Sequence, residues 1–243
     1  MKRIVIMGAT SGIGLETAKY CIRKGWKVGA AGRRAEALAA LRALAPERVA
    51  TEVVDITCDD APRRLERLVD RLGGMDIYLH CSGIGSQNPG LDAAIELGTC
   101  ATNASGFVRM VCAAYARFAR CGGGRIAVIS SIAGTKGLGA APAYSATKRF
   151  QNTYIDALAQ LARMQRLDIR FTDIRPGFVA TALLGDDKYP MLMRPEAVAA
   201  RLVRAVEHGR RSIVIDRRYA LLVGLWRLIP RWLWERLPIR TRR

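Results

Sequence analysis

Apolar positions recur along this chain in two alternating periods. Short extended runs fall at 3–7, 27–31, 48–55, 76–80, 125–130, 168–174 and 212–215. Between them, apolar residues take helical spacing over 12–24, 35–44, 60–72, 92–120, 144–164 and 195–207. Strands that alternate with helices build a parallel sheet covered by helices on both faces. The early strands fit that burial, since Ile4-Val5-Ile6-Met7 is apolar throughout. No internal repeat, low-complexity run or Ser/Gly/Pro-rich hinge interrupts the alternation. The pattern predicts one doubly wound α/β domain over 1–215 and a C-terminal segment, 216–243, of different character.

Composition narrows the chemistry. At 243 residues, half of them hydrophobic, the chain can bury one sizeable core. Its six cysteines (Cys21, Cys58, Cys81, Cys100, Cys112, Cys121) form no CxxC pair, and His80 and His208 are its two histidines. Zinc chemistry and a Ser/His/Asp hydrolase are therefore poorly supplied, and no metal is expected. Scattered cysteines of this kind read as reduced, buried and cytosolic. The opening apolar strand is too short for a signal peptide core, and the run from Tyr219 to Trp226 is too short to span a bilayer. A formal net charge of +18 calls for an anionic partner: a cofactor, a membrane surface or nucleic acid. No aromatic platform or recognised binding motif accompanies the basic residues, so nucleic acid is not expected.

The first strand runs straight into Gly8-Ala9-Thr10-Ser11-Gly12-Ile13-Gly14 and then a helix. Gly8 permits a tight turn, Gly12 a close approach of backbone to phosphate, and Gly14 close packing of helix on strand. A diphosphate can then sit on the free N–H groups of the helix N-terminus. The second strand ends at Gly32 and is followed by Arg33-Arg34, where readers of NAD commonly carry an acid for the ribose 2′-hydroxyl. Two guanidinium groups suit a 2′-phosphate instead, which points to NADP(H).

Tyr144 and Lys148 lie four apart at the start of a long helical segment, on one face. A nearby cation favours phenolate and brings a phenol toward the working range of a proton carrier. The same YxxxK pattern occurs at Tyr20 and Lys24, with no serine before it, and that copy reads as structural. Tyr144 differs in having Ser131 thirteen residues upstream at the end of a strand, the edge where open α/β sheets place their sites.

These features in this order resemble the short-chain dehydrogenase/reductase family over about residues 1–215: Gly8 to Gly14, Asp55 after the third strand, Asn103, Ile129-Ser130-Ser131, Tyr144-x-x-x-Lys148 and Pro176-Gly177. The resemblance implies a Rossmann-type fold and hydride transfer between a nicotinamide cofactor and a carbonyl or alcohol carbon. It implies Tyr144 as general acid/base and Ser131 as the group holding the carbonyl oxygen. Lys148 would bind the nicotinamide ribose and tune Tyr144, and Asn103 would anchor a water relaying protons through Lys148. Asp55, with the adjacent Ile56, resembles the segment that meets the adenine. Gly83 resembles a point of close cofactor approach, and Pro176-Gly177 with Val179 and Thr181 the segment that meets the nicotinamide. Thr10, Ser11 and Ile13 join the glycines in the diphosphate turn, and the family implies a homodimer or homotetramer. One departure stands out: His80-Cys81-Ser82-Gly83 replaces the usual Asn-Asn-Ala-Gly, so Cys81 should alter a brace of the central sheet. His80, at a strand end, reads as a hydrogen-bonded structural residue.

The segment after the sixth strand carries Ala182-Leu183-Leu184 and Tyr189-Pro190-Met191-Leu192-Met193 around Gly185-Asp186-Asp187. Met and Leu there suit a greasy substrate, lipid-, steroid- or long-chain-like, or else simply pack the lid down. Three of the four tryptophans (Trp226, Trp232, Trp234) fall in the C-terminal segment among arginines, with Pro230 separating two short helices. Two readings stand: peripheral contact with a membrane surface, or packing on the enzyme's own or a partner subunit. The rivals to an enzyme are a catalytically silent cofactor-binding sensor and a membrane-surface scaffold.

Overall fold

The computed structural model describes residues 1–184 and 189–239. Residues 185–188 of the expected lid and 240–243 of the tail lie outside the described residues. Seven strands, β1 (Arg3–Met7), β2 (Lys27–Gly32), β3 (Val49–Val53), β4 (Ile77–His80), β5 (Gly124–Ile129), β6 (Ile169–Pro176) and β7 (Ser212–Ile215), form one sheet in the order 3-2-1-4-5-6-7. Every pairing is parallel. The period of two divides β1 between two cores. Ile4 and Ile6 pack with α1 (Gly12–Arg23), α2 (Ala35–Ala43) and α7 (Pro195–Glu207), whereas Val5 and Met7 pack with α3 (Ala61–Leu72), α5 (Phe107–Arg120) and α6 (Pro142–Met164). The strand order reverses between β1 and β4, which opens a crevice at their C-terminal ends, the place where such sheets bind ligands.

Several boundaries differ from the sequence expectation. The helix expected over 92–120 is α4 (Ala93–Cys100), a π-helical turn over Ala101–Gly106, and α5. The long helix opens at Pro142 rather than Tyr144, because a proline ring fits the first helical turn, where its missing N–H is not needed. β6 continues to Pro176, which carries the chain to the edge of the crevice. The cysteines also depart from the expectation of burial. Cys21 is buried and Cys81 half-buried, while Cys58, Cys100, Cys112 and Cys121 are exposed, all six as free thiols.

The tail folds back onto the domain as α8 (Arg217–Leu228) and α9 (Arg231–Trp234), with Pro230 between them. Asp216 starts α8 by accepting a hydrogen bond from Arg218 N at 2.9 Å. Tyr219 and Val223 of α8 belong to the same apolar core as β1 and α7, so residue 215 does not separate two cores. Trp234 Nε1 donates to Gly137 O and Lys136 Nζ to Ile229 O, both at 2.7 Å. One face of the tail therefore packs on its own subunit, as one of the two readings expected.

Candidate active site

The Gly-rich turn owes its shape to positions where a side chain has no room. Gly8 has φ +95°, and its N–H donates to Ala31 O at 2.8 Å. A Cβ at Gly14 would lie 2.1 Å from Gly8 O, so helix and turn approach as closely as only glycine permits. The first turn of α1 carries no acid, and the Ser11 side chain does not cap it, which leaves its N–H groups for an anion. From here a cavity of about 1220 Å³ runs past Gly83 to Ser131, Tyr144 and Lys148 and on to Pro176, Gly177, Val179 and Thr181. A turn of free N–H groups opening on a cavity of this volume fits a nicotinamide dinucleotide.

Arg33 and Arg34 are exposed beyond the cavity wall at the end of β2. Arg34 Nη2 reaches back to Thr10 O at 2.6 Å, tying the end of β2 to the Gly-rich turn. Asp55 accepts from Thr57 N at 2.9 Å and Thr57 Oγ1 at 2.7 Å. These bonds, with Arg33 nearby, hold its carboxyl below the usual carboxylate range. Ile56 is buried, and its carbonyl accepts from Arg109 Nη1 at 2.9 Å.

The catalytic candidates meet at the far end of the cavity. Ser131, extended after β5, accepts from Ala133 N at 3.1 Å through its hydroxyl, which leaves the hydroxyl hydrogen to donate. Tyr144 and Lys148 rise on one face of α6, with the ammonium 5.7 Å from the phenol ring centre. The ammonium donates to Ile129 O at 3.0 Å and to Gln151 Oε1 at 3.1 Å. Burial lowers the Lys148 pKa to about 8. Burial also raises the Tyr144 pKa, with the Ser131 hydroxyl beside it partly opposing the rise. The lowering of the Tyr144 pKa expected from Lys148 is not found, since burial prevails. A phenolate stripped of water loses more than a neighbour held by other acceptors returns to it.

Asn103 sits in the π-helical turn, where the Phe107 N–H reaches Thr102 O, five residues back, and so bypasses the Asn103 carbonyl. That carbonyl accepts from Gln151 Nε2 at 2.9 Å. Asn103 Nδ2 donates to Ile84 O at 2.7 Å, and Ile84 N to Asn103 Oδ1 at 2.9 Å, which fixes the loop after Gly83. A direct link therefore runs from the Asn103 carbonyl through Gln151 to Lys148. Gln151 was not anticipated; its signal was a glutamine three residues after Lys148 on a buried helix face. Gly85 was also missed: a Cβ there would lie 2.4 Å from the Tyr144 ring.

His80 and Cys81 take structural places. The fully buried His80 ring shares a hydrogen bond with Tyr78 OH through Nδ1 at 2.9 Å and meets Phe107 edge-on at 5.1 Å. Burial depresses its pKa to about 3, so it stays neutral. Cys81 N donates to Met7 O at 2.8 Å, and its side chain lies against Gly14 in place of a polar brace. The second YxxxK pair faces away from the cavity, with Lys24 paired to Glu207 at 2.7 Å.

Gln151 has a testable consequence. An acceptor on an ammonium favours its charged form, so Gln151→Leu should lower the Lys148 pKa below about 8, and Gln151→Glu should raise it above. If carbonyl reduction needs the ammonium, kcat/KM falls as pH rises through that pKa. The alkaline limb should then move to lower pH in Gln151→Leu and to higher pH in Gln151→Glu. Unmoved limbs in both variants would leave Gln151 a packing residue.

A parallel sheet with a Gly-rich turn at its switch point, and Ser, Tyr and Lys converging on one cavity, defines a nucleotide-dependent oxidoreductase architecture. The model of the short chain dehydrogenase family matches residues 2–189. The chain belongs to that family and is an oxidoreductase of it. An uncharacterized oxidoreductase of Myxococcus xanthus is 29% identical over 98% of this chain and 96% of its own length. One of Mycobacterium tuberculosis is 28% identical over 95% of each. Among solved structures, that titled "ElxO with NADP Bound" superposes with a TM-score of 0.78 at 20% identity, covering 90% of this chain and 99% of that one. Serine dehydrogenase from Escherichia coli gives 0.76 at 23%, covering 88% and 96%.

Proposed function

We propose that this protein is an NADP(H)-dependent oxidoreductase that interconverts an apolar ketone or aldehyde and its alcohol, with Tyr144 as general acid/base. The observation that carries this reading is the cavity itself. Ser131, Tyr144 and Lys148 meet at one end, and among the described residues Lys148 is the one charged residue in its wall. A substrate bearing a carboxylate or phosphate would find no second cation among the described residues of that wall, whereas Leu183, Leu184 and Met191 offer apolar contact. Met193 has a different part: its backbone pairs with Phe178 and Ala180, and its buried side chain holds the lid segment down.

In this reading the first turn of α1 holds the cofactor diphosphate, with Thr10, Ser11, Gly12 and Ile13 around it. Asp55 and Ile56 meet the adenine, Gly83 beside Lys148 lets the cofactor approach closely, and Pro176, Gly177, Val179 and Thr181 meet the nicotinamide. The bound nicotinamide supplies or accepts the hydride. Ser131 donates its hydroxyl hydrogen to the substrate oxygen, and Tyr144 passes its proton to that oxygen as negative charge develops. Lys148 keeps a positive charge beside Tyr144 and restores its proton from a water that Asn103 anchors. Assembly as a homodimer or homotetramer belongs to the same reading, by family likeness.

Arg33 and Arg34 carry the preference for NADP(H), since no acid occupies the end of β2 and both guanidinium groups are exposed to a ligand there. An NADP-bound neighbour of the same fold supports the choice. Replacing both arginines by Ala should weaken NADPH binding at least ten-fold, by losing charge-assisted bonds of about 1.5–3 kcal/mol, and NADH binding far less. Fluorescence titration of both cofactors measures this. Equal losses, or tighter NADH binding by the wild type, would reject the preference.

A further inference from the structure

Helix α8 is apolar on two opposite faces. Tyr219, Leu222, Val223 and Trp226 turn inward, and Leu222 and Trp226 form part of the cavity wall. Leu221, Leu225 and Leu228, at i, i+4 and i+7, make a stripe on the other side and are 69, 54 and 78% exposed. Trp232 beyond Pro230 is 60% exposed. A surface helix needs one apolar face for its core, and here the second has nothing over it among the described residues.

The charge around the stripe identifies what covers it. Residues 216–239 hold five arginines against two acids. Arg218 pairs with Asp216 and Arg231 with Glu235, while Arg217 and Arg227 form no ion pair among the described residues. Arg236 lies over the Trp232 ring at 5.5 Å. A second copy placed on this face by a two-fold axis would set arginine against arginine in a chain of net charge +18. Leucines that enter hydrocarbon, a tryptophan at the headgroup boundary and arginines for phosphates match a lipid surface instead. No helix among the described residues is long and apolar enough to cross a membrane, so the contact is in-plane.

We propose that the outer face of α8 and α9 rests on an anionic lipid bilayer, with Leu221, Leu225, Leu228 and Trp232 at the headgroup–acyl boundary and Arg217 and Arg227 toward lipid phosphates. Since the inner face of the same helix lines the cavity, an apolar carbonyl compound dissolved in the bilayer reaches the site beside the docked surface. That last step rests on the function proposed above; the docking does not.

Truncation would also remove a cavity wall, so point substitutions of the full chain are the test. Flotation with phosphatidylglycerol/phosphatidylcholine vesicles, against phosphatidylcholine alone, reads partitioning without any activity. The wild type should float with the anionic vesicles and be released by high salt. The triple variant Leu221→Gln, Leu225→Gln, Leu228→Gln and the double variant Arg217→Gln, Arg227→Gln should each partition at least about ten-fold less, at unchanged melting temperature. A wild type that stays with neither vesicle overturns the proposal, as do both variants floating like wild type. A concentration-dependent dimer lost in the triple variant, without vesicle binding, would assign the stripe to a second copy.

Discussion

Tyr144→Phe should lower turnover by at least about 10²-fold while leaving NADPH binding nearly intact. The substitution removes the phenol hydroxyl that faces the cavity beside Ser131, and general acid catalysis is commonly worth that factor or more. Burial raises the Tyr144 pKa, so the phenol carries its proton throughout the neutral range and is ready to donate it in the reducing direction. The ring stays, so the contact with Gly85 and the packing over Lys148 survive. Tyr20→Phe is the matched control: the same YxxxK pattern in α1, but its ring lies near Arg23 and Lys24 and away from the cavity. Turnover there should be unchanged. Steady-state kinetics with a water-soluble ketone, alongside NADPH titration, separates the two; near-normal turnover of Tyr144→Phe would remove its role.

Gly14→Ala should damage cofactor binding and stability together. The added methyl would lie 2.1 Å from Gly8 O and 3.3 Å from Cys81 Cβ, so backbone rather than a flexible side-chain end must move. Overpacking of this kind costs about 1–3 kcal/mol. At 243 residues each kcal/mol lowers Tm by about 2–4 °C. The shift that relieves the clash opens the Gly-rich turn, so NADPH affinity should fall at least about ten-fold as the N–H groups of α1 lose their aim. Thermal melts with and without NADPH measure both, since bound cofactor raises Tm by mass action and the increment should shrink. An unchanged increment would mean the turn does not hold the cofactor.

The sheet and its covering helices were legible in the sequence because strands buried on both faces leave unbroken apolar runs, as at β1. Bends within an element were not. The π-helical turn at Asn103 lies inside one continuous helical pattern, and a one-residue widening leaves no mark on apolar spacing. Gln151 was hidden for a related reason: its meaning depends on Asn103 O, 48 residues away, being free to accept its amide. Motif spacing brought Ser131, Tyr144 and Lys148 together correctly in space, yet it missed the sign of the Tyr144 shift. That sign follows from burial, which no local motif encodes. The tail was legible only as an ambiguity. An arginine- and tryptophan-rich segment fits both membrane and subunit packing, and α8 packs one face on its own subunit while Leu221, Leu225 and Leu228 of the other stay exposed.

Hydride transfer at this cavity from NADPH to an apolar carbonyl is open to direct test. Single-turnover reaction of the wild-type protein with NADPH deuterated at nicotinamide C4, against a panel of hydrophobic ketones and aldehydes, tests it most directly by mass spectrometry of the product. Deuterium should appear on the carbinol carbon of at least one product, with the rate reduced at least about 10²-fold in Tyr144→Phe. Consumption of neither NADPH nor carbonyl across the panel, or equal deuterium transfer by Tyr144→Phe, would contradict it.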